Sequence, residues 1–470
     1  MAETDRFTHH MSDEDALMWH IEKDPVLRST IVAVGILDQA PDWGRLRKRF
    51  DRATLLIPRL RQRVLSPPLR IGPPRWTFER GFDLDFHLRR FRLPQPGSMR
   101  TLLDIVGPIA TAGFDRARPL WEFTLLDGLA DSEGEPGERA AMVMKVHHSI
   151  TDGVGGMELL LHLVDFERDA ADPEDRPAVP PEEHMPALAL LRDSIDHTRR
   201  RVLGVARRMP VGMLRAAASA ITAPAAAIAG SANTARSIAR TLAPASRPLS
   251  PVMTMRGLGR HLDVFDVSLD EMKRAAKAGE GSLNDAFVAA VLGGLARYHE
   301  RHGSAAETLR MTIPISLRTS ADAPGGNRFA PARFGVPARI ADPRERMQAI
   351  GALVRGWRGE PALAMTGQLA LLLNRFPTAV TTALFGSMLK CSDFVTTNVP
   401  GAPIPVFVAG AHVERFYAFA PPIGASMNVA LISHTDTCCI GVVADSAAVP
   451  DPDVLLECLQ AGFNEVTALG

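Results

Sequence analysis

Residues 140–153 read AAMVMKVHHSITDG, and the reading of this stretch decides the rest. Ala140 to Val146 is a short apolar run of the kind that forms a buried strand. It runs directly into the pair His147 and His148. From Glu158 to Phe166 the apolar spacing turns helical. The segment HHSITDG is thus expected between a strand and a helix, where a rigid scaffold can present a side chain.

Working outward, three zones are expected: 1–165, 166–250 and 251–470. In the first, Ser29 to Leu37 reads as a strand rich in β-branched residues. Trp43 to Ala53 has Leu46, Phe50 and Ala53 on one helical face. The second zone opens with a proline-rich acidic connector. Ile195, Thr198, Val202, Val205 and Met209 then mark a helical face that ends at Pro210. From His197 through Arg260 there is no acid, and the stretch holds eleven arginines. Such a zone is either a solvated basic helix tying two domains together or a surface for anionic lipid or CoA phosphates.

The third zone mixes strands and helices again. Leu262 to Val267, Met311 to Ile315 and Val406 to Val408 are strand candidates. Residues 428–433 and 439–443 form a buried pair around turn-prone Thr435 to Thr437. Residues 268–303 read as two helices broken at Gly279 to Gly281, with Ser282 or Asn284 as cap. Pro452 to Leu469 closes as a helix. The fold class is mixed α/β: two domains joined by a helical linker.

The chain of 470 residues has zero formal net charge and 46% hydrophobic residues, so nothing global points to nucleic acid. The four cysteines lack CxxC spacing, which fits a reducing compartment and suggests neither disulfide framework nor zinc knuckle. Charges in MAETDRFTHHMSDEDALMW stand where a signal peptide needs an apolar run. The alanine-rich span Ala216 to Ala235 is interrupted by Pro224 and Gly230 and is too weak for a membrane span. The expected location is cytoplasmic, with peripheral contact at the inner face of a membrane or a lipid droplet.

A neutral imidazole can take a proton from a hydroxyl as the hydroxyl attacks a carbonyl. Asp152 would contact that base or lock the loop, and Gly153 would allow a tight turn. Other readings remain open from the residues alone. Two structural histidines near a turn is the bland one. Metal binding finds no recognisable spacing in Asp152 and Glu158, so no metal is expected. A nucleophilic triad finds no GxSxG elbow.

The whole segment, HHxxxDG after an apolar strand, resembles the signature of the CoA-dependent acyltransferase superfamily. More closely, the chain is similar to the bacterial wax ester synthase/diacylglycerol acyltransferase family. Residues 11–16 (MSDEDA) look like its MSxxDA opening, and Arg118-Pro119-Leu120-Trp121-Glu122 like its RPLWE segment. Leu283-Asn284-Asp285-Ala286 matches its ND motif, and Pro314 to Arg318 its PxSLR strand. Thr397 to Gly401 looks like its SNVPG-type turn, and Asp445 to Pro452 like its C-terminal signature. One departure is a missing methionine-histidine pair, where this chain has Val26-Leu27-Arg28-Ser29; it bears on acceptor or acyl-chain preference.

The resemblance implies two chloramphenicol-acetyltransferase-like domains with a tunnel between them. It implies His148 as the base and Asp152 as the motif aspartate, with His147, Gly153, Asn284 and Asp285 in support. Pro119, Leu120, Trp121, Ser316 and Asn398 are substrate-contact candidates. For Trp121 the competing reading is packing, for Asn284 a helix cap, for Asn398 a turn. The implied co-substrate is acyl-CoA, with no bound cofactor, and the acceptor is diacylglycerol or a fatty alcohol. A carrier-protein donor, an amine acceptor, or a catalytically silent lipid-binding protein are the alternatives.

Overall fold

The apolar run before the histidines is strand β6 (Arg139–His147), and it lies inside a six-stranded sheet. The computed structural model describes residues 9–68, 71–131, 137–150, 160–172, 175, 177–208, 247–316, 329–358, 370, 373–374 and 376–470. β6 is flanked by β1 (Thr30–Leu37) and β5 (Trp121–Leu129), antiparallel to both. Sandwiched strands bury both faces, so β6 carries an unbroken apolar sequence instead of alternation. Ala140, Met142 and Met144 face one core, and Ala141 and Val143 face another. β4 (Leu88–Arg92) closes one edge, parallel to β5, while β2 (Gln62–Leu65) and β3 (Arg75–Phe78) form a separate two-stranded sheet.

The other edge comes from far down the chain. β12 (Ala411–Phe419) pairs antiparallel with β1, and β11 (Phe407–Val408) pairs with β12. The first sheet therefore has the order β11-β12-β1-β6-β5-β4 and contains residues 407–419. In sequence these residues fall within 251–470; in space they complete the sheet of the first zone.

The second sheet has the order β7-β14-β13-β10-β8-β9. Its strands are β7 (Arg260–Ser268), β8 (Thr308–Ser316), β9 (Phe329–Pro337), β10 (Phe394–Pro400), β13 (Met427–His434) and β14 (Thr437–Asp445). β8, β10 and β13 run parallel. The turn expected at Thr397 to Gly401 is instead the end of β10, where Asn398 pairs opposite Leu431.

The helices follow the same logic. α1 (Asp13–Ile21) starts at Ser12, whose side chain accepts from the Asp15 amide. α2 (Trp43–Leu56) buries Leu46, Phe50 and Ala53, the face read from spacing. α3 (Leu84–His87) leads into β4, and α4 (Met99–Thr111) packs Leu102, Leu103 and Val106 into the core shared by both sheets. The linker helix is α5 (Ala187–Arg208), and Met209 and Pro210, where its end is expected, lie outside the described residues. α6 (Leu269–Ala278) and α7 (Leu283–Arg301) are the two helices expected around the glycine break. α8 (Pro343–Arg358), α9 (Thr378–Leu389) and α10 (Pro452–Thr467) complete the set used below. The helix expected over Glu158 to Phe166 is not continued by the described residues. Leu160 to Leu163 turn, and Asp165 bridges Phe407 instead.

α7 and α10 cross at glycines. A Cβ on Gly462 would stand 2.3 Å from the Ala290 carbonyl oxygen, so only glycine lets the helices approach this closely. The two sheets meet in a common core, with Val32, Val34 and Ile36 of β1 beside Tyr417, Phe419, Cys439 and Val443. Gly441 sits there with the same constraint: its Cβ would be 2.1 Å from the Ala418 oxygen.

Among the described residues no helix is long and apolar enough to cross a membrane. The Ala216 to Ala235 span lies outside them.

Candidate active site

The histidine pair sits where β6 ends. The His147 amide donates to the Leu120 carbonyl at 3.0 Å, the last rung toward β5. The His148 amide donates to the Ser29 carbonyl at 3.0 Å, on the β1 side. Ile150 then donates back to the His147 carbonyl at 2.9 Å and buries its side chain in the first core. The chain turns sharply between two anchored strands, so the position of residue 148 is fixed by backbone bonds on both sides.

The two imidazoles have different surroundings. His147 is 1% exposed, and its two ring nitrogens face Ser149 and Glu22. The Ser149 amide, which can only donate, points at Nδ1 from 3.0 Å, so Nδ1 accepts. Ser149 Oγ, at 2.7 Å, is then a donor to the same nitrogen. In the neutral ring the proton sits on Nε2, which faces Glu22 Oε1 at 3.0 Å. Trp19 and Phe114 pack edge-on against the ring. His148, by contrast, is half-buried.

Glu22 is the residue that sequence reading missed. It lies just past α1, in IEKDP, where an acid reads as solvent-facing. Its Oε1 accepts from both the amide and the hydroxyl of Ser29, each at 2.7 Å. Burial alone would raise its pKa. The His147 ring and the two Ser29 bonds outweigh that and hold the carboxyl down at about 2. Arg116 stands 3.8 Å from the other oxygen. Glu22 thus joins Ser29, whose carbonyl receives His148, to His147 itself.

The RPLWE segment supports this site from behind. Pro119 and Leu120 are buried, and the Leu120 carbonyl receives His147. Trp121 is fully buried, donates from Nε1 to the Leu60 carbonyl at 2.8 Å, and stacks on His87 with centroids 4.5 Å apart. These contacts describe packing. His87 Nδ1 bonds the Trp121 carbonyl at 2.7 Å, and burial pushes the pKa of His87 down to about 4. Beside it, Lys145 is 2% exposed, 3.5 Å from Glu122, with its pKa lowered by burial.

The remaining candidates belong to the second sheet. Ser282, not Asn284, caps α7. Asp285 closes a capping box, its Oδ2 accepting from the Ser282 amide at 2.9 Å and the Ser282 hydroxyl at 2.7 Å. Asn284 stands beside it, half-buried, in the first turn. Ser316 and Asn398 occupy the C-terminal ends of the neighbouring parallel strands β8 and β10. Asp152 and Gly153 lie outside the described residues. Cys391, Cys438, Cys439 and Cys458 are buried and form no disulfide among the described residues, and burial pushes Cys438 and Cys439 up to about 12.

Two sheet-bearing α/β lobes sharing one core, with a histidine pair at the end of a central strand, define the class: a two-domain acyltransferase-type fold. Its solved counterparts include the wax ester synthase/diacylglycerol acyltransferase from Marinobacter aquaeolei, which is 18% identical, with a TM-score of 0.64 and 98% of both chains covered. A starter condensation domain of rhizomide synthetase, solved with C8-CoA, aligns over 99% of this chain and 95% of its own at 13% identity and a TM-score of 0.59. The wax ester synthase/diacylglycerol acyltransferase catalytic-domain model matches residues 2–287, and the model of the C-terminal domain of that family matches residues 325–467. A Mycobacterium tuberculosis protein named as a diacylglycerol O-acyltransferase is 39% identical over 467 residues, 99% of this chain and 93% of its own. The chain belongs to the wax ester synthase/diacylglycerol acyltransferase family and is an acyltransferase.

Proposed function

We propose that this protein moves a long-chain acyl group from acyl-CoA to the hydroxyl of diacylglycerol or a fatty alcohol, with His148 as general base. The observation that carries the choice of base is the contrast between neighbours. His147 is 1% exposed, with Ser149 bonded to Nδ1 and Glu22 3.0 Å from Nε2. His148 is held by its backbone and is the less buried of the two.

In this mechanism His148 takes the proton of the acceptor hydroxyl as its oxygen attacks the thioester carbon. A C–O bond forms and a tetrahedral oxyanion results. When the C–S bond breaks, the imidazolium returns its proton to the thiolate, releasing ester and free CoA. No acyl-enzyme is required. Asn284 is the proposed oxyanion donor. The domains proposed are 1–165, 166–250 and 251–470, with residues 407–419 completing the first sheet. The tunnel runs between them, and holding both substrates there supplies much of the acceleration. Arg199 and Arg200 are exposed on α5 beside exposed Ile195 and Leu203, which supports peripheral contact of the linker with an anionic membrane.

The test is direct. Purified protein is incubated with labelled palmitoyl-CoA, with hexadecanol and diolein offered separately, and the lipid products are identified. Wax ester or triacylglycerol is expected; hydrolysis to free palmitate alone would overturn the reading.

A further inference from the structure

A cavity of about 740 Å³ opens between the turn after α1 and helix α9. Lys23, Asp24, Thr382, Ser387, Lys390 and Cys391 line it. It begins one residue beyond Glu22, the carboxylate that touches His147, so it lies at the outer end of the chain segment that supports the histidines.

The charge around it is lopsided. Lys23 is exposed and has no carboxylate partner among the described residues. Lys390 pairs with Asp24, whose other oxygen accepts from the Val26 amide. Three guanidiniums donate to carbonyls at the end of α9 and just past it. Arg333 reaches the Met388 oxygen at 2.7 Å, Arg310 the Cys391 oxygen at 2.8 Å, and Arg256 the Ser392 oxygen at 2.8 Å. Against these five cations stand Asp24, Asp445 near Arg256, and the buried Asp393, the last already bonded to the amides of Leu249, Ser250 and Arg310. The Thr382 hydroxyl has no partner among the described residues. A concave site with two lysines on its lining and a spare hydroxyl concentrates anions.

Which anion follows from chemistry. The thioester of an acyl-CoA and its phosphates are held apart by the pantetheine arm. A thioester at His148 therefore places the phosphates outside the reaction site, at a mouth that needs positive charge. We propose that the cavity between Lys23 and Lys390 binds the phosphate groups of the CoA co-substrate. This rests on the acyl-CoA reading above and extends it to a named place.

Calorimetry with free CoA tests the site without turnover. The probes are CoA, dephospho-CoA and inorganic phosphate, on wild type, Lys23→Glu, and Lys23→Gln/Lys390→Gln. Lys23 is exposed, so Lys23→Glu keeps the test open if the double variant fails to fold. CoA binding is expected to weaken about tenfold or more, the factor that about 1.4 kcal/mol makes when a charge-assisted phosphate contact is lost. Wild type is also expected to prefer palmitoyl-CoA over palmitoyl-N-acetylcysteamine in KM, and the variants to lose that preference. Unchanged CoA affinity in folded Lys23→Glu overturns the proposal. So does weakened binding to anionic phosphatidylglycerol vesicles with CoA affinity intact, which would assign the lysines to a lipid headgroup. If wild type binds CoA through Lys23 yet forms no ester, the acyl-transfer reading fails and the site stands.

Discussion

His147 Nε2 lies 3.0 Å from Glu22 Oε1, although 125 residues of chain separate them. The carboxylate is held near pKa 2, against an ordinary value of 4.5. A depressed carboxyl stabilises the fold above its unfolded pKa and loses that contribution as pH falls through the folded value. Glu22 should contribute roughly 2–3 kcal/mol above about pH 4.5, vanishing toward pH 2. Urea unfolding of wild type and Glu22→Gln across that window checks it. The two stabilities should differ at pH 6 and converge below pH 3; a constant difference would show that Glu22 acts by packing.

The two histidines should separate experimentally. His148→Ala is expected to lower turnover by about 10²–10⁴-fold while the urea midpoint stays near that of wild type. His147→Ala leaves the buried Glu22 with only its Ser29 bonds and the distant Arg116, so it should lower stability by about 1–3 kcal/mol as well as activity. Unchanged turnover in folded His148→Ala would remove the base from the mechanism.

His87 and Trp121 form a second pH-sensitive point. His87 is fully buried and its pKa falls from 6.5 to about 4. The unfolded chain takes up the proton first, so stability is full above about pH 6.5 and declines as pH falls toward 4. His87→Gln should flatten that decline in a pH series of melting curves. Trp121→Ala, which empties the stack, should cost about 3–5 kcal/mol at neutral pH.

The thiols of Cys438 and Cys439 are fully buried on β14. With their pKa pushed up to about 12, almost no thiolate forms at pH 8. A colorimetric disulfide reagent should leave both unmodified in the native protein and label them after unfolding. Rapid native labelling of either would mean that β14 opens.

Gly462→Ala tests the crossing of α7 and α10. The added methyl meets backbone at 2.3 Å, which no rotamer change relieves. A loss of about 1–3 kcal/mol is expected, seen as a lower urea midpoint.

Local patterns carried much of the fold. AAMVMKV is apolar on both faces and could only be a buried strand or helix segment, and its length favours the strand. The glycines at 279–281 and Ser282 marked the α6–α7 break because capping is local chemistry. β12 was not legible. Its sequence AHVERFYAF mixes buried and half-buried positions, and its partner β1 lies some 380 residues earlier. Pro400 and Gly401 looked like a turn centre, yet Pro400 closes a strand that pairs as far as Ser433. Glu22 gave no signal at all, because its pairing with residue 147 is created by the sheet and leaves no mark at position 22. In the candidate site, the histidines were visible through their motif; the carboxylate that orders one of them was not.

The placement of β12 has a consequence for how the molecule is made. On a ribosome, the strand that closes the histidine-bearing sheet emerges only after some nine-tenths of the chain. Until then β1 offers its outer backbone groups to any passing strand. A product truncated before residue 407 should carry the whole HHSITDG segment yet be sticky and inactive, and supplying the missing piece in trans should rescue solubility and activity together.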